Sequence, residues 1–314
     1  MTIKKEYLSQ ILFNIAIMLF FGIMFFTGTF LDEYIAKTLF SPDNIAAAVI
    51  TSMGTVPFFT VPVLFCGTLY ERSVHSGISK PAKVMLCIVC TLIALFVGFI
   101  GGGALADKNS FGYIFPFLNR NIAVIAVLAV IFEYPFFFVG YHSAKRSDDK
   151  LLVQRVLGLL VILLLAFAAM QVLKHTFNRP RYRTAVLGYE GIGFVPWYIR
   201  FDGSAEYAEK YGINGDEFLS FPSGHSIISI SAMYILPSLS WIIPKLRKHQ
   251  FMLVLTGFMF GLIIMFTRMI LGAHYLSDVS AGAIIGNVLS IAYTIIQLLI
   301  SSKNKSITEN DPEQ

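Results

Sequence analysis

The sequence predicts an all-α, polytopic bundle of about eight membrane helices. Of its 314 residues, 56% are hydrophobic and only 14% are charged, a balance typical of membrane proteins rather than soluble domains. The apolar residues are gathered in runs near 20 residues long, the length that an α-helix needs to cross a bilayer. Polar stretches with lysines and arginines separate these runs. Length, composition and patterning therefore favour the same fold class.

We predict eight membrane helices, over residues 10–30, 45–70, 82–105, 121–142, 152–174, 224–243, 250–267 and 276–300. The first run follows two lysines, as a signal peptide would, but it is longer and lacks a small-residue cleavage site, so we predict a membrane anchor. In the second run, Pro57 and Pro62 predict a kink. Gly257-x3-Gly261 and Gly282-x3-Gly286, in the last two runs, have the spacing of helix-packing faces. The polar segment after residue 300 is predicted to be a disordered tail, 301–314.

The lysines and arginines predict how the helices are oriented. With an even number of helices both termini share one side, and 14 of the 24 lysines and arginines fall on that side against 10 on the other. Because cytoplasmic loops are enriched in these residues, we predict a cell-membrane protein with cytoplasmic termini. The net charge of +5 is explained by this topology, and no nucleic-acid partner is predicted. The three cysteines lie in apolar runs, and we predict neither a disulfide framework nor a metal site.

The fourth run and the loop before the sixth each leave two interpretations open. Glu133 lies beside Pro135 in the fourth run, where a carboxyl at membrane depth is a functional candidate by default; a hydrogen-bonded structural role is equally consistent. The loop over residues 184–221 is long for a compact bundle. Its tryptophan and tyrosines would guide a lipid at the interface, or its acidic residues would simply keep it solvated.

Chemistry-bearing residues are concentrated in three polar stretches. Phe221-Pro222-Ser223-Gly224-His225-Ser226 opens the sixth run. Pro222 is suited to the first turn of a helix, and Ser223 and Gly224 offer a hydroxyl and an open backbone where a helix N-terminus favours an anion. His225 is expected to titrate near neutral pH, as a free histidine does. This stretch predicts an anion site with an adjacent acid, although a simple helix cap with an unrelated histidine has the same pattern.

The other two stretches add cations and a second histidine. Residues 174–183 place Lys174 and three arginines, Arg181 among them, at the end of the fifth run. Residues 267–278 place Arg268 before His274, and Asp278 four residues later. On a helix this pair shares one face, so Asp278 is expected to hold one imidazole nitrogen and leave the other free to react. Together the three stretches predict a phosphate-binding cradle, an acid and an oriented nucleophile on the extracytoplasmic side.

The three stretches resemble, in order, the signature motifs of the type 2 phosphatidic acid phosphatase and vanadium haloperoxidase superfamily. Lys174 and Arg181 fit the first motif, Pro222 to His225 the second, and Arg268, His274 and Asp278 the third; Tyr182 and Thr267 depart from the pattern at positions that carry no chemistry. The resemblance covers roughly residues 85–300. It implies a six-helix phosphatase core over 81–300, with two additional transmembrane helices in residues 1–80.

The resemblance also implies a mechanism without metal or other cofactor. His274 would attack phosphorus to form a phosphohistidine, Asp278 would orient it, and His225 would protonate the leaving oxygen. Substrate phosphate would be bound by Lys174, Arg181, Ser223, Gly224 and Arg268. The expected activity is hydrolysis of lipid phosphate monoesters or polyprenyl diphosphates at the outer leaflet. A lipid phosphotransferase with the same triad, and an inactive transporter or scaffold, are the alternatives.

Overall fold

The protein folds as a bundle of α-helices, seen here in a computed structural model that describes residues 3–119 and 121–310. No strand occurs in those residues. In chain order the helices are α1 (Ile3–Leu39), α2 (Ile45–Met53), α3 (Val56–Val74), α4 (Lys80–Ala106), α5 (Phe111–Ile114), α6 (Ile122–Phe132), α7 (Tyr134–Ala144), α8 (Leu152–Phe177), α9 (Tyr182–Ala185), α10 (Ser204–Tyr211), α11 (Gly224–Ile230), α12 (Ala232–Ser238), α13 (Gln250–Ile270) and α14 (Leu276–Asn310). Short 3₁₀ helices lie between these α-helices, at Pro116–Leu118, Gly215–Phe218, Leu239–Trp241 and Pro244–His249.

Seven helical segments within the described residues are long and apolar enough to cross a membrane. They are Leu8–Leu39, Ile45–Val74, Lys80–Ile114, Ile122–Ala144, Leu152–Ala185, Pro244–Ile270 and Leu276–Ser302. They correspond in order to seven of the eight predicted runs. The predicted all-α, polytopic membrane bundle is therefore confirmed as a fold class.

The sixth predicted run, 224–243, is not one continuous helix. It is divided into α11, α12 and a 3₁₀ turn. Ser231 lies between the two α-helices, and its hydroxyl bonds to the Ile228 carbonyl three residues back; Pro237, which lacks a backbone donor, lies in the last turn of α12. The segment still crosses the bundle. Its first residue, Gly224, lies against Lys174 in the last turn of α8. Near its other end, the Trp241 carbonyl accepts a 2.6 Å hydrogen bond from Ser147 Oγ, in the loop that precedes α8.

Close helix packing surrounds this central segment. A Cβ on Gly257 would lie 2.4 Å from the Ala232 backbone, and one on Gly282 would lie 2.4 Å from the Ser223 carbonyl oxygen. Gly261 and Gly286 both abut Ile230 in the same way. The interpretation of the two glycine pairs as packing faces is confirmed, since they let α13 and α14 approach α11 and α12.

The second predicted run is broken rather than merely kinked. Gly54 and Thr55 separate α2 from α3, Pro57 lies in the first turn of α3, and Pro62 lies inside it. The broken run belongs to the bundle interior: Phe58, Phe59 and Phe65 are buried in the same apolar cluster as side chains of α8. By contrast, α1 lies along the outside of α14.

Glu133 lies at the junction of α6 and α7. Its side chain is fully buried, and Oε2 accepts a 3.0 Å hydrogen bond from Thr60 Oγ1 of α3. The carboxyl thereby ties the junction to the bundle interior, as the structural interpretation of this residue expects.

The loop before α8 and the loop before α13 are in contact. Arg247, in the loop before α13, donates a 3.1 Å hydrogen bond to Asp148, in the loop before α8. At the C-terminus, α14 continues to Asn310, so the predicted tail 301–314 begins inside it, and residues 311–314 lie outside the described residues.

Candidate active site

The first polar stretch is formed by a turn at the end of α8. Lys174 lies in the last helical turn, and Asn178 ends the helix with a left-handed φ of 50°, a conformation that asparagine tolerates better than most residues. The chain then turns back, and Arg181 N donates a 2.8 Å hydrogen bond to the Glu217 carbonyl. This turn brings Arg181 to the same side of the site as Lys174.

The second stretch begins α11. Ser223 is its N-cap, and its hydroxyl oxygen accepts bonds from Ser226 N at 3.3 Å and Ser226 Oγ at 2.9 Å. Gly224 has a steric role, because a Cβ there would lie 2.9 Å from Lys174 Cε and 2.7 Å from Met170 Sδ. The absence of a side chain lets Lys174 lie over the start of the helix.

The third stretch is divided between two helices. Arg268 lies in the last turn of α13, and Gly272 adopts a φ of 60° in the turn that follows. Since α14 begins at Leu276, His274 precedes the helix and Asp278 lies in its first turn. The expectation that both residues share one face of a helix is therefore wrong.

One cavity of about 460 Å³ collects residues from all three stretches. Five of the eight predicted site residues line it: Lys174, Arg181, Gly224, His225 and His274. The other three, Ser223, Arg268 and Asp278, are buried and are not among the residues that line it. The predicted residues thus form the wall of the cavity and the layer that supports it.

The His274 side chain has one nitrogen fixed by the backbone. Its Nδ1 lies 2.7 Å from the Ser220 carbonyl oxygen. Because a carbonyl only accepts hydrogen bonds, Nδ1 carries the proton and Nε2 keeps its lone pair. Asp278 Oδ2 is 3.9 Å from the same nitrogen, so the direct hydrogen bond expected between Asp278 and His274 is replaced by one to Ser220.

Asp278 acts on His274 through this intermediate residue. Its Oδ2 accepts a 2.6 Å bond from Ser220 Oγ and a 2.8 Å bond from Tyr275 N, and its Oδ1 accepts a 2.5 Å bond from Arg179 Nη1. Ser220 is thus held by Asp278 at its hydroxyl and holds His274 with its carbonyl. Neither Ser220 nor Arg179 was among the residues predicted for the site, although Arg179 lies within the basic stretch.

Asn109 organises the arginines of the cradle. Its Oδ1 accepts hydrogen bonds from Arg181 Nη1 at 3.1 Å and Arg183 Nη2 at 2.9 Å, and its carbonyl accepts one from Arg268 Nη1 at 3.0 Å. One amide residue therefore holds three guanidinium groups together. Sequence analysis missed Asn109; its signal is an amide in the short polar turn after α4.

Unpaired donors mark where an anion would bind. Among the described residues, Nε and Nη2 of Arg268 and Nε2 of His225 are buried without a hydrogen-bond partner. Buried polar groups are normally satisfied, and a guanidinium with two free donors matches the geometry of a phosphate. The phosphate would complete the hydrogen bonding of this part of the site.

The surroundings of His274 favour its neutral form. Burial lowers the pKa of His274 well below its usual range, and the positive charges of Arg181, Arg268 and Lys174 lower it further. A neutral imidazole is the nucleophilic form. The same cations that would hold a phosphate therefore keep His274 ready to react with it.

The long loop after α9 is packed onto this end of the bundle. Trp197 stacks on Phe221 with ring centroids 5.5 Å apart, and Glu217 accepts 2.7 and 2.8 Å bonds from Arg183. Burial opposes ionisation of Glu217, but these bonds and the charges of Arg181 and Lys108 hold its pKa well below the usual range. At least this one of its acids is used in an ion pair rather than left in solvent.

No group of three histidine, cysteine, aspartate or glutamate side chains lies close enough to hold a metal ion, in the residues searched. Cys66 and Cys90 are buried, Cys87 is partly buried, and all three are free thiols.

Comparison with known proteins gives one match. Residues 155–300 match the PAP2 superfamily, the family expected from the three motifs. The matched segment is shorter than the expected 85–300 and contains all eight predicted site residues. No curated protein and no solved structure matches the chain.

Proposed function

From the PAP2 superfamily match of residues 155–300, we propose that this membrane protein is a lipid phosphate phosphatase that works through a phosphohistidine. Substrates would be lipid phosphate monoesters or polyprenyl diphosphates. The observation that carries the proposal is the chemical asymmetry of the cavity. Its polar lining includes Lys174, Arg181, His225 and His274, with the carboxylates of Asp107 and Asp216 also present, and its apolar lining comes from α3, α4, α6 and α8, including Phe59, Phe99, Ile125 and Phe167.

A phosphate headgroup and its hydrocarbon chain fit this asymmetry. Phe99 is 41% exposed on the outer face of the bundle, where the cavity wall meets the surrounding lipid. A lipid would keep its chains against the apolar lining while its phosphate meets Lys174 and Arg181. Burying a phosphate beside these cations offsets the cost of removing both from water.

The reaction proceeds in two steps. Burial and the charges of Arg268, Lys174 and Arg181 lower the pKa of His225, so its protonated form requires the negative charge of the bound phosphate to offset these cations. His274 Nε2 then attacks phosphorus, the bond from phosphorus to the ester oxygen breaks, and protonated His225 gives its proton to that oxygen. His225 then removes a proton from water, whose oxygen attacks the phosphohistidine and releases inorganic phosphate with neutral His274. Through both steps the Nδ1–H of His274 stays hydrogen-bonded to the Ser220 carbonyl, which stabilises the charge on the ring. Lys174, Arg181 and Arg268 stabilise the equatorial oxygens of the transition state.

Purified protein in detergent is expected to release phosphate from at least one lipid of a panel in the presence of EDTA. The panel contains phosphatidate, phosphatidylglycerol phosphate and undecaprenyl diphosphate, and phosphate is measured by a colorimetric assay. Vanadate, which mimics a five-coordinate phosphorus, is expected to inhibit. Activity that requires added magnesium would contradict the metal-independent mechanism, and no release from any lipid with or without magnesium would reject the function.

The site is proposed to face the extracytoplasmic side, because the loops at the other end hold the larger share of lysine and arginine. In a background without Cys66, Cys87 and Cys90, Asp202→Cys in the long loop is expected to react with a membrane-impermeant maleimide in intact cells. Lys150→Cys, in the loop before α8, is expected to react only after lysis. Both positions are exposed, so labelling at each reports its side of the membrane rather than its burial. The reverse labelling pattern would place the site in the cytoplasm.

A further inference from the structure

Asp32, on the N-terminal helix α1, is a buried carboxylate whose partners belong to the active-site layer. Its Oδ2 pairs with Arg179 Nη2 at 2.9 Å, and its Oδ1 accepts a 2.8 Å bond from Ser277 N at the start of α14. The side chains of Asp32 and Arg179 are 2% and 0% exposed. Asp32 lies outside the segment that matches the family, so neither the motifs nor the match assigns it a role.

The close approach of α1 depends on a glycine one turn earlier. A Cβ on Gly28 would lie 2.5 Å from Ser277 N and 2.9 Å from Asp32 Oδ1. On the same side of α1, Thr29 Oγ1 accepts a 3.0 Å bond from Trp197 Nε1 of the long loop. Thus α1 is fitted against the residue that precedes Asp278 and against the loop over the site.

Arg179 is shared by two carboxylates. Nη1 donates to Asp278 Oδ1 at 2.5 Å and to Ser277 Oγ at 2.9 Å, Nη2 donates to Asp32, and Nε donates to the Val195 carbonyl at 2.7 Å. The guanidinium also lies 3.9 Å from the centroid of the Tyr275 ring. Because these contacts fix all three nitrogens, Arg179 is held as a rigid fork.

The charges in this group do not cancel. One guanidinium lies between two carboxylates, which leaves the group of Asp32, Arg179 and Asp278 with one net negative charge. If Asp32 were absent, Arg179 and Asp278 would form a neutral pair. The net charge matters because the groups on the other side of His274 are cationic, and phosphorylation leaves a positive charge on the imidazole that a nearby negative charge stabilises.

We infer that Asp32 is a positioning residue of the active site: by sharing Arg179 it leaves the group that contains Asp278 with a net negative charge, and it keeps Asp278 aligned behind Ser220 and His274. The inference rests on the proposed phosphohistidine function. It makes α1 a part of the catalytic unit rather than only an additional membrane anchor.

The test replaces Asp32 by asparagine, which keeps the size of the side chain and removes its charge. With p-nitrophenyl phosphate, kcat is expected to fall about 10- to 100-fold, the range typical when the outer partner of a functional group is lost. KM is expected to stay near the wild-type value, because Asp32 does not line the phosphate cavity. The matched control is Glu33→Gln, which removes an exposed carboxylate one residue along α1 and is expected to leave kcat unchanged.

Two further variants separate charge sharing from simple anchoring of α1. Asp32→Glu keeps the charge but adds a methylene, so it is expected to retain more activity than Asp32→Asn; an anchoring role predicts the opposite order, because the larger side chain packs worse. In the Asp278→Asn background, Asp32→Asn is expected to cause little further loss, since both changes act through the same carboxylate.

Each result bears on a distinct claim. Wild-type kcat in Asp32→Asn, a raised KM with unchanged kcat, or losses that multiply in the double variant would overturn the role of Asp32 while leaving the phosphatase function intact. Absence of turnover and of phosphoenzyme in the wild-type protein would reject the proposed function, and this inference with it. All variants are compared as monodisperse protein from size-exclusion chromatography. If Asp32→Asn does not fold, Asp32→Glu is compared with the wild-type protein: charge sharing predicts that it keeps most of the wild-type kcat, and an anchoring role predicts a clear loss.

Discussion

Replacing His274 by alanine is expected to lower phosphate release by about 10⁴-fold or more, the order of effect that follows removal of an enzyme's nucleophile. The substitution removes the only atom proposed to bond to phosphorus. It leaves Lys174, Arg181 and Arg268 in place, so a phosphate still finds its cradle. We therefore expect kcat to collapse while substrate binding persists. The decisive measurement is covalent: ³²P-labelled substrate should give an acid-labile phosphoenzyme with the wild-type protein and none with His274→Ala.

A matched control is available at the same end of the bundle. His175 follows Lys174 directly but its side chain is exposed, and His175→Ala is expected to keep both turnover and phosphoenzyme. Labelled phosphoenzyme in His274→Ala would show that another residue is the nucleophile, even if the family assignment stands. Equal loss in the two variants would indicate damage to the fold rather than to the chemistry.

The sequence was sufficient to predict the fold class and five of the residues that line the cavity. Apolar runs near 20 residues long predict membrane helices because the bilayer demands that length. The spacing between Lys174 and Arg181 and the run from Pro222 to His225 predict the cradle because helix ends bring their side chains to one surface. These patterns involve residues that are close together in the chain, so one sequence is enough to detect them.

What the sequence could not predict are contacts that depend on distant chain segments or on the backbone. The Ser220 carbonyl that holds His274 is present in every residue type, so no side-chain pattern reveals it. Asn109 and the three arginines it joins are more than 70 positions apart in the chain. The spacing of His274 and Asp278 suggested a shared helix face, but the turn at Gly272 delays the start of α14 until Leu276.

The break in the sixth run has a related cause. Its composition is apolar enough for a membrane helix, and hydropathy alone cannot distinguish a continuous helix from two short ones joined inside a bundle. Ser231 carries the signal for the break, and Pro237 carries the signal for the end of the second short helix. In a lipid-exposed helix such breaks would leave polar groups unsatisfied; here the segment is almost entirely buried by other helices. Burial, which the sequence does not specify directly, makes the irregular backbone tolerable.

His225→Ala is expected to have an effect that depends on the substrate. His225 lines the cavity with an unpartnered Nε2, while the proposed nucleophile is on another segment. Removing it leaves attack by His274 intact but leaves the departing oxygen without an acid. An alkoxide is a poor leaving group and needs that proton, so with a lipid phosphate the loss is expected to be about 10²–10⁴-fold, the usual value of general acid–base catalysis. With p-nitrophenyl phosphate, whose phenolate departs readily, the decrease in the rate of phosphoenzyme formation is expected to be far smaller.

Single-turnover measurements isolate this difference. The rate of phosphoenzyme formation reports leaving-group departure, and the rate of its decay reports attack by water, which also needs His225 as a base. His225→Ala should therefore accumulate phosphoenzyme on the aryl substrate, where formation stays fast and hydrolysis slows. Equal losses on both substrates, with no accumulation, would assign His225 to phosphate binding instead of proton transfer. Because His225 lines the same cavity as Lys174 and Arg181, that outcome would add His225 to the phosphate-binding residues, and another group on the cavity wall would then protonate the departing oxygen.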